Sequence, residues 1–183
     1  MILPFRGNFK LTQGFGENPQ TYARFGLKGH NGQDWGLPLN TQVIAPHAGK
    51  VIEATNDPQG YGNYLKIEND QEGSVLAHLS SFQVKVGDVV SEGQPVALSG
   101  STGFSTGPHL HWGYFRVPRD RTNGYNGFVD QVLFLNAQQD LQKELDKMRG
   151  ERDKNWNLYQ AEVKAHSVTK DRLKNIKDFV ANG

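Results

Sequence analysis

Glycine and proline stop abruptly about two thirds of the way along this 183-residue chain. Nineteen of the 21 glycines lie at or before Gly127, and the last of the eight prolines is Pro118. Beyond Phe128 only Gly150 and Gly183 remain. A stretch so dense in turn formers must reverse direction every few residues, whereas one without them is free to run as a long helix. Charge divides at the same place. Residues 1–127 hold ten basic and ten acidic side chains, and the much shorter remainder holds ten and nine. The break, near residues 128–137, predicts a turn-rich domain over 1–133 and a helical extension over 134–183.

Within the first part, short apolar runs bounded by turn residues read as strands: 49–55, 63–68, 74–78, 94–99 and 109–115. Asn56-Asp57-Pro58, Gly60, Gly73, Gly87 and Gly93 separate them, the pattern of an antiparallel sheet. The second part reads as helix from about Phe134 to Val180. Leu141, Leu145 and Met148, then Trp156, Tyr159 and Val163, then Leu173, Ile176 and Val180 form a stripe at spacings of three and four. Arg152 and Lys170 interrupt it, so no heptad runs unbroken long enough for a sustained coiled coil. Gly150 is the expected bend, and a helical hairpin is one expectation for this segment.

The chain carries a formal net charge of +1, which excludes the strongly basic signature of a dedicated nucleic-acid binder. Without cysteine it has neither disulfides nor thiolate metal sites, so any transition-metal ligands must be His, Asp or Glu. Apolar runs of four or five residues predict no transmembrane segment. Met1-Ile-Leu-Pro-Phe-Arg does not read as a signal peptide.

The chemistry gathers at the histidines. Four of the six fall in three short patterns: Gly29-His30-Asn-Gly-Gln-Asp34, Ala77-His78-Leu79 and Pro108-His109-Leu-His111-Trp112. On a strand, His109 and His111 face the same side, as two ligands or as a ligand with an acid/base partner. His30 and Asp34 would sit about 13 Å apart on an extended strand, so the Asn31-Gly32 turn signal must fold the chain to bring them to one ion. Together, with no competing cysteine, the patterns favour a metal site.

Residues 12–116 resemble the lysostaphin-type zinc metallopeptidases, also called LytM or M23 peptidases. The matching stretches are Thr12-Gln-Gly-Phe-Gly16, Gly29-His30-Asn-Gly-Gln-Asp34, Pro46-His-Ala-Gly-Lys-Val51, Gly62-Asn-Tyr-Leu, His78-Leu, Val86-Gly-Asp-Val-Val-x-x-Gly-Gln and Gly100-Ser-Thr-Gly-Phe-Ser-Thr-Gly-Pro-His-Leu-His111. The resemblance implies a mainly β fold: an antiparallel peptidase core built on a duplicated hybrid motif and open along one groove. It implies one zinc held by His30, Asp34 and His111, with His78 and His109 as an unliganded catalytic pair. It also implies endopeptidase action on the peptide part of bacterial peptidoglycan, in the cell wall. The segment from Phe128 matches no part of that pattern.

Two neutral imidazoles and one carboxylate would leave a zinc site with net charge about +1 and a fourth position for water, whose pKa falls toward ~7. No Glu falls inside the histidine motifs, so histidines would handle the protons. Tyr22 and Tyr61 are candidates for a phenol that steadies the oxyanion. The other features read blandly: His47 as a surface turn residue, His166 as solvated, Arg116, Arg119 and Arg121 as a solvated loop, and at least one of Trp35 and Trp112 as core. Alternatives to an active enzyme are a non-catalytic LytM-like binding or regulatory protein and a structural tail component. A phage-encoded lytic or virion-associated enzyme, docked or oligomerised through its helix, combines the last with catalysis.

Overall fold

A computed structural model describes the backbone of residues 1–181 and the side chains of 1–137 and 140–170. The Leu173, Ile176 and Val180 part of the expected stripe lies outside the described side chains. Two compact units follow one another, Met1–Leu135 and a second beginning at Asn136.

The first unit is a nine-stranded antiparallel sheet. Its strands are β1 (Leu11–Gln13), β2 (Gln33–Trp35), β3 (Gln42–Ile44), β4 (Gly49–Asp57), β5 (Gly62–Glu68), β6 (Glu72–Phe82), β7 (Val89–Val90), β8 (Pro95–Ser99) and β9 (Leu110–Arg116). The order is β1-β2-β9-β6-β5-β4-β7, with β8 bridging β6 and β3. The antiparallel sheet expected from the turn spacing is present, and the five longer strands lie close to where the apolar runs put them. Short β1, β2, β3 and β7 were not expected. A four-residue helix, α1 (Pro19–Tyr22), and a 3-10 turn over Ala23–Phe25 interrupt the chain between β1 and β2.

Strand β6, eleven residues long, is the axis. Its first half pairs with β5 and β9, and its second half with β8. One face of the sheet packs Leu37, Val43, Val51, Leu65, Ile67, Leu76, Leu79, Leu110 and Trp112 into the main core. A smaller cluster of Val75, Ala77, Phe115 and Phe128 packs with Tyr61 and Tyr64. Burying such side chains contributes roughly 1.5–3 kcal/mol each.

Helix α2 (Gln131–Ala181) begins inside the first unit. Asp130 Oδ1 accepts the Val132 amide, capping its N-terminus, and the buried Gln131 amide donates to the Trp112 carbonyl at 2.6 Å. The helix is unbroken through Gly150, so neither the bend nor the hairpin forms. A single helical glycine costs only about 1 kcal/mol, too little to stop it. In the second unit Leu141, Met148, Trp156, Tyr159 and Val163 are exposed, and no described helix is long and apolar enough to cross a membrane.

Candidate metal centre and cleft

Cross-strand register builds the site. In the β2–β9 pair Asp34 stands opposite His111, and in the β9–β6 pair His111 stands opposite Ala77, the residue before His78. Directly opposed residues share a face, so Asp34 and His111 project together. His30 joins them through the bend at Asn31–Gly32, its backbone tied to the Gly16 amide and the Glu17 carbonyl. Gly32 is required there: a Cβ would lie 2.6 Å from the His111 ring.

His78 arrives differently. Ala77 and His78 together oppose Tyr64 of β5, a bulge in β6, and His78 takes a left-handed φ of 60°. A bulge re-aims a side chain, and a non-glycine residue in that region costs of order 1–3 kcal/mol. The bulge turns His78 into the cleft. His109, beside the start of β9, lies with its ring 4.5 Å from that of His78. All five sequence-predicted residues line one cleft of about 390 Å³.

Three ligand-type atoms converge in it. His30 Nε2 lies 2.9 Å from His111 Nδ1, His111 Nδ1 lies 3.0 Å from Asp34 Oδ1, and Asp34 Oδ1 lies 3.2 Å from His30 Nε2. Three atoms each about 2 Å from one tetrahedral ion are separated by about 3.3 Å, so this near-equilateral triangle fits one. His30 Nδ1 donates to the Gly14 carbonyl, which leaves its Nε2 lone pair facing the triangle. Buried His111 Nε2 has no hydrogen-bond partner among the described residues. Burial works to raise the Asp34 carboxyl, but its contacts with the His111 and His30 rings hold it well below the usual carboxylate range. Burial lowers His111 despite Asp34 pulling the other way. An ionised Asp34 and a His111 pushed toward its neutral form, with the His30 Nε2 lone pair facing them, make the donor set a cation takes.

The other two histidines stand outside the triangle. His78 Nδ1 donates to the Thr102 carbonyl at 2.8 Å, and His109 Nδ1 to the Gly107 carbonyl at 2.8 Å. His109 Nε2 is 3.7 Å from Asp34 Oδ2. Burial, then the neighbouring His111 and His109, push His78 down to about 3, so it is neutral at ordinary pH. Tyr22 and Tyr61 both wall the cleft, their rings 5.0 Å from His30 and 5.3 Å from His111. Tyr22 donates to Gln13, while Tyr61 accepts from Asn31 and keeps its own proton free. Burial pushes both phenols up to about 12.

Two expectations are corrected. His47 is buried, not a surface residue: its Nε2 accepts the Ser74 hydroxyl, which in turn accepts the Trp112 indole N–H. Arg119 is not solvated either; its guanidinium sits 4.4 Å from the Phe115 ring and 4.2 Å from the Phe128 ring. His166 is exposed, as expected, and Trp112 is core. Of the cleft residues not singled out from sequence, Gln13 ends the short β1, Phe25 ends the 3-10 turn, and Phe104 and Asn126 sit in loops, none with a spacing signal.

A sequence model of peptidase family M23 matches residues 28–124. A peptidoglycan DD-endopeptidase of Vibrio cholerae, ShyB, is 38% identical over 104 residues, 56% of this chain and 24% of its own length. The crystallised catalytic domain of the antimicrobial peptidase lysostaphin from Staphylococcus simulans superposes with a TM-score of 0.60 at 35% identity, covering 70% of this chain and 93% of that domain. A zinc-containing peptidase from Vibrio cholerae gives 0.58 at 35% identity, covering 70% and 37%. The chain spans between 19% and 34% of the length of the first curated relatives it matches.

Proposed function

The chain belongs to peptidase family M23, and from that premise we propose that it is a zinc-dependent endopeptidase that hydrolyses peptide bonds in bacterial peptidoglycan. The observation that carries the reading is the buried triangle of His30 Nε2, Asp34 Oδ1 and His111 Nδ1 beside two further histidines in one cleft. A zinc ion held by these three residues supplies Lewis acidity, which polarises a scissile carbonyl and makes water acidic near neutrality.

The chain's own residues do the rest. With Nδ1 donated to Gly107, His109 in its neutral form keeps a lone pair on Nε2. That atom takes a proton from the attacking water and returns it to the leaving amine. His78, fixed by Thr102 in the same tautomer, presents its Nε2 to the cleft as the second proton-handling group. The free O–H of Tyr61 is the donor available to an oxyanion, whereas the Tyr22 O–H is already given to Gln13. A binding protein without catalysis has no need of all five residues.

Residues 1–133 carry the peptidase chemistry in this reading, and residues 134–183 serve attachment or assembly, in a lytic or virion-associated setting. Exposed Trp156 and Tyr159, their rings 5.7 Å apart, support that second role. Elemental analysis for one zinc per chain, with hydrolysis of purified cell walls, tests the proposal. A zinc-loaded protein that releases no peptide ends or muropeptides from any wall overturns it.

A further inference from the structure

The cleft wall holds no lysine or arginine among its described residues. Its charged members are Asp34, engaged by the histidines, and Asp57, whose Oδ2 accepts the Tyr61 amide. The rim is different. Phe25, on the 3-10 turn after α1, and Phe104, in the loop before β9, both line the cleft and meet edge to face with centroids 5.9 Å apart. Nearly eighty residues separate them in sequence, so the contact is a product of the fold. Both rings are exposed, at 40% and 43%. Over them lies Arg24, its guanidinium carbon 5.0 Å from one ring centroid and 5.2 Å from the other.

The faces of two aromatic rings attract that cation and hold it in place. Stacking uses the faces of the guanidinium and leaves its in-plane N–H fork free. Among the described residues Arg24 has no hydrogen-bond or ion-pair acceptor, although carboxylates elsewhere on this unit find partners. A fixed, unpaired fork at the mouth of a cleft otherwise lacking cations matches one chemical group best: a carboxylate, which it can bind through two parallel N–H···O bonds.

We infer that Arg24, Phe25 and Phe104 form a carboxylate-reading subsite, and that the preferred substrate is a peptide with a free carboxylate flanking the scissile bond. The inference rests on the peptidase reading above for its substrate, and on the rim geometry alone for its chemistry. The rings cover the apolar part of the flanking residue while Arg24 takes its charge.

Two soluble peptidoglycan peptides, identical except that the flanking carboxylate is free in one and amidated in the other, make the test. The zinc-loaded full-length protein should cut the free acid with a kcat/KM about tenfold higher. In Arg24→Gln that ratio should fall to about one, and Arg24→Lys, which keeps the charge and loses the fork, should fall between. Raising salt should shrink the ratio in the wild type and leave it unmoved in Arg24→Gln. Dissociation constants for the same two peptides, measured by calorimetry on His109→Gln protein, should show the same preference without turnover. A wild-type ratio near one, or a ratio that survives in Arg24→Gln, overturns the subsite while leaving the peptidase reading intact. If neither peptide is cut yet the acid still binds more tightly through Arg24, the peptidase reading falls and the subsite stands. If neither is cut and neither binds with preference, both fall.

Discussion

Seven consecutive residues of β6, Gly73–Leu79, are buried, whereas no described residue of α2 from Asn136 onward is. Besides its hairpin neighbour β5, β6 draws partners from farther along the chain: β9 pairs its first half, and β8 its second. Among the described residues, the side-chain hydrogen bonds and ion pairs of the second unit are local, such as Lys143 with Asp140, Arg149 with Asp146 and Gln142 with Asp146. Exposed pairs of that kind contribute little. The contrast shows where chemistry can reside. Atoms held 3 Å apart in a dry site need walls built from distant sequence, which a lone helix cannot supply.

The sharpest break comes from the triangle. His111→Ala should remove most of the zinc and lower wall hydrolysis at least 10³-fold, read by elemental analysis and turnover together. Next come the two histidines outside it. His109→Gln and His78→Asn should each lower turnover by roughly 10²–10⁴ with zinc retained; asparagine is chosen at 78 because it tolerates left-handed φ. Zinc loss from either, as complete as from the ligand variant, would contradict the division of roles.

Stability carries the comparison further. Leu65→Ala, in the core, should cost about 2–5 kcal/mol in denaturant unfolding, while Trp156→Ala in the second unit should stay within about 0.5 kcal/mol. Acid gives a smaller effect with a definite sign. His78 is held down to about 3 in the fold, against about 6.5 in the unfolded chain. The native state therefore resists a proton that the unfolded chain takes up, so its stabilisation is complete above pH 6.5 and drains away from there toward pH 3. The slope is about 1.4 kcal/mol per pH unit for one proton. Chelated wild type and His78→Asn, unfolded in parallel at pH 7 and pH 5, should differ by that slope. The smallest change is expected from truncation after Asn136: hydrolysis of soluble muropeptides within about twofold, with any self-association lost in light scattering.

Strands flanked by turn residues and rich in Val, Ile, Leu and aromatics were legible because burial of one face imposes alternation. β1, β2 and β3 are three residues each and β7 two, too short for a period to show. The four histidines and one aspartate that gather in the cleft were legible through residue type, spacing and the family resemblance, although the bulge that aims His78 leaves no local mark. His47 was misread because Pro46-His47-Ala48-Gly49 has the composition of a turn. Its burial follows from Ser74 and Trp112, which only the folded chain brings near. Gly150 was misread for the opposite reason, since nothing beyond propensity acts there. Arg119 looked solvated because sequence does not reveal that Phe115 and Phe128 will stack on it.

The β2–β9 register has one more consequence. Along β9, Leu110 and Trp112 go to the core while His111, between them, goes to the cleft; along β2, Trp35 packs against that core 5.2 Å from Phe5 while Asp34 faces outward. A slip of one position would exchange the two faces of β2, driving a carboxylate beneath Phe5 and lifting an indole into the cleft. Both halves of that exchange are costly, and the second falls on an indole that takes no part in hydrolysis. The parity of the ligand is thus guarded by its apolar neighbour: Trp35 acts as the keel that keeps Asp34 upright.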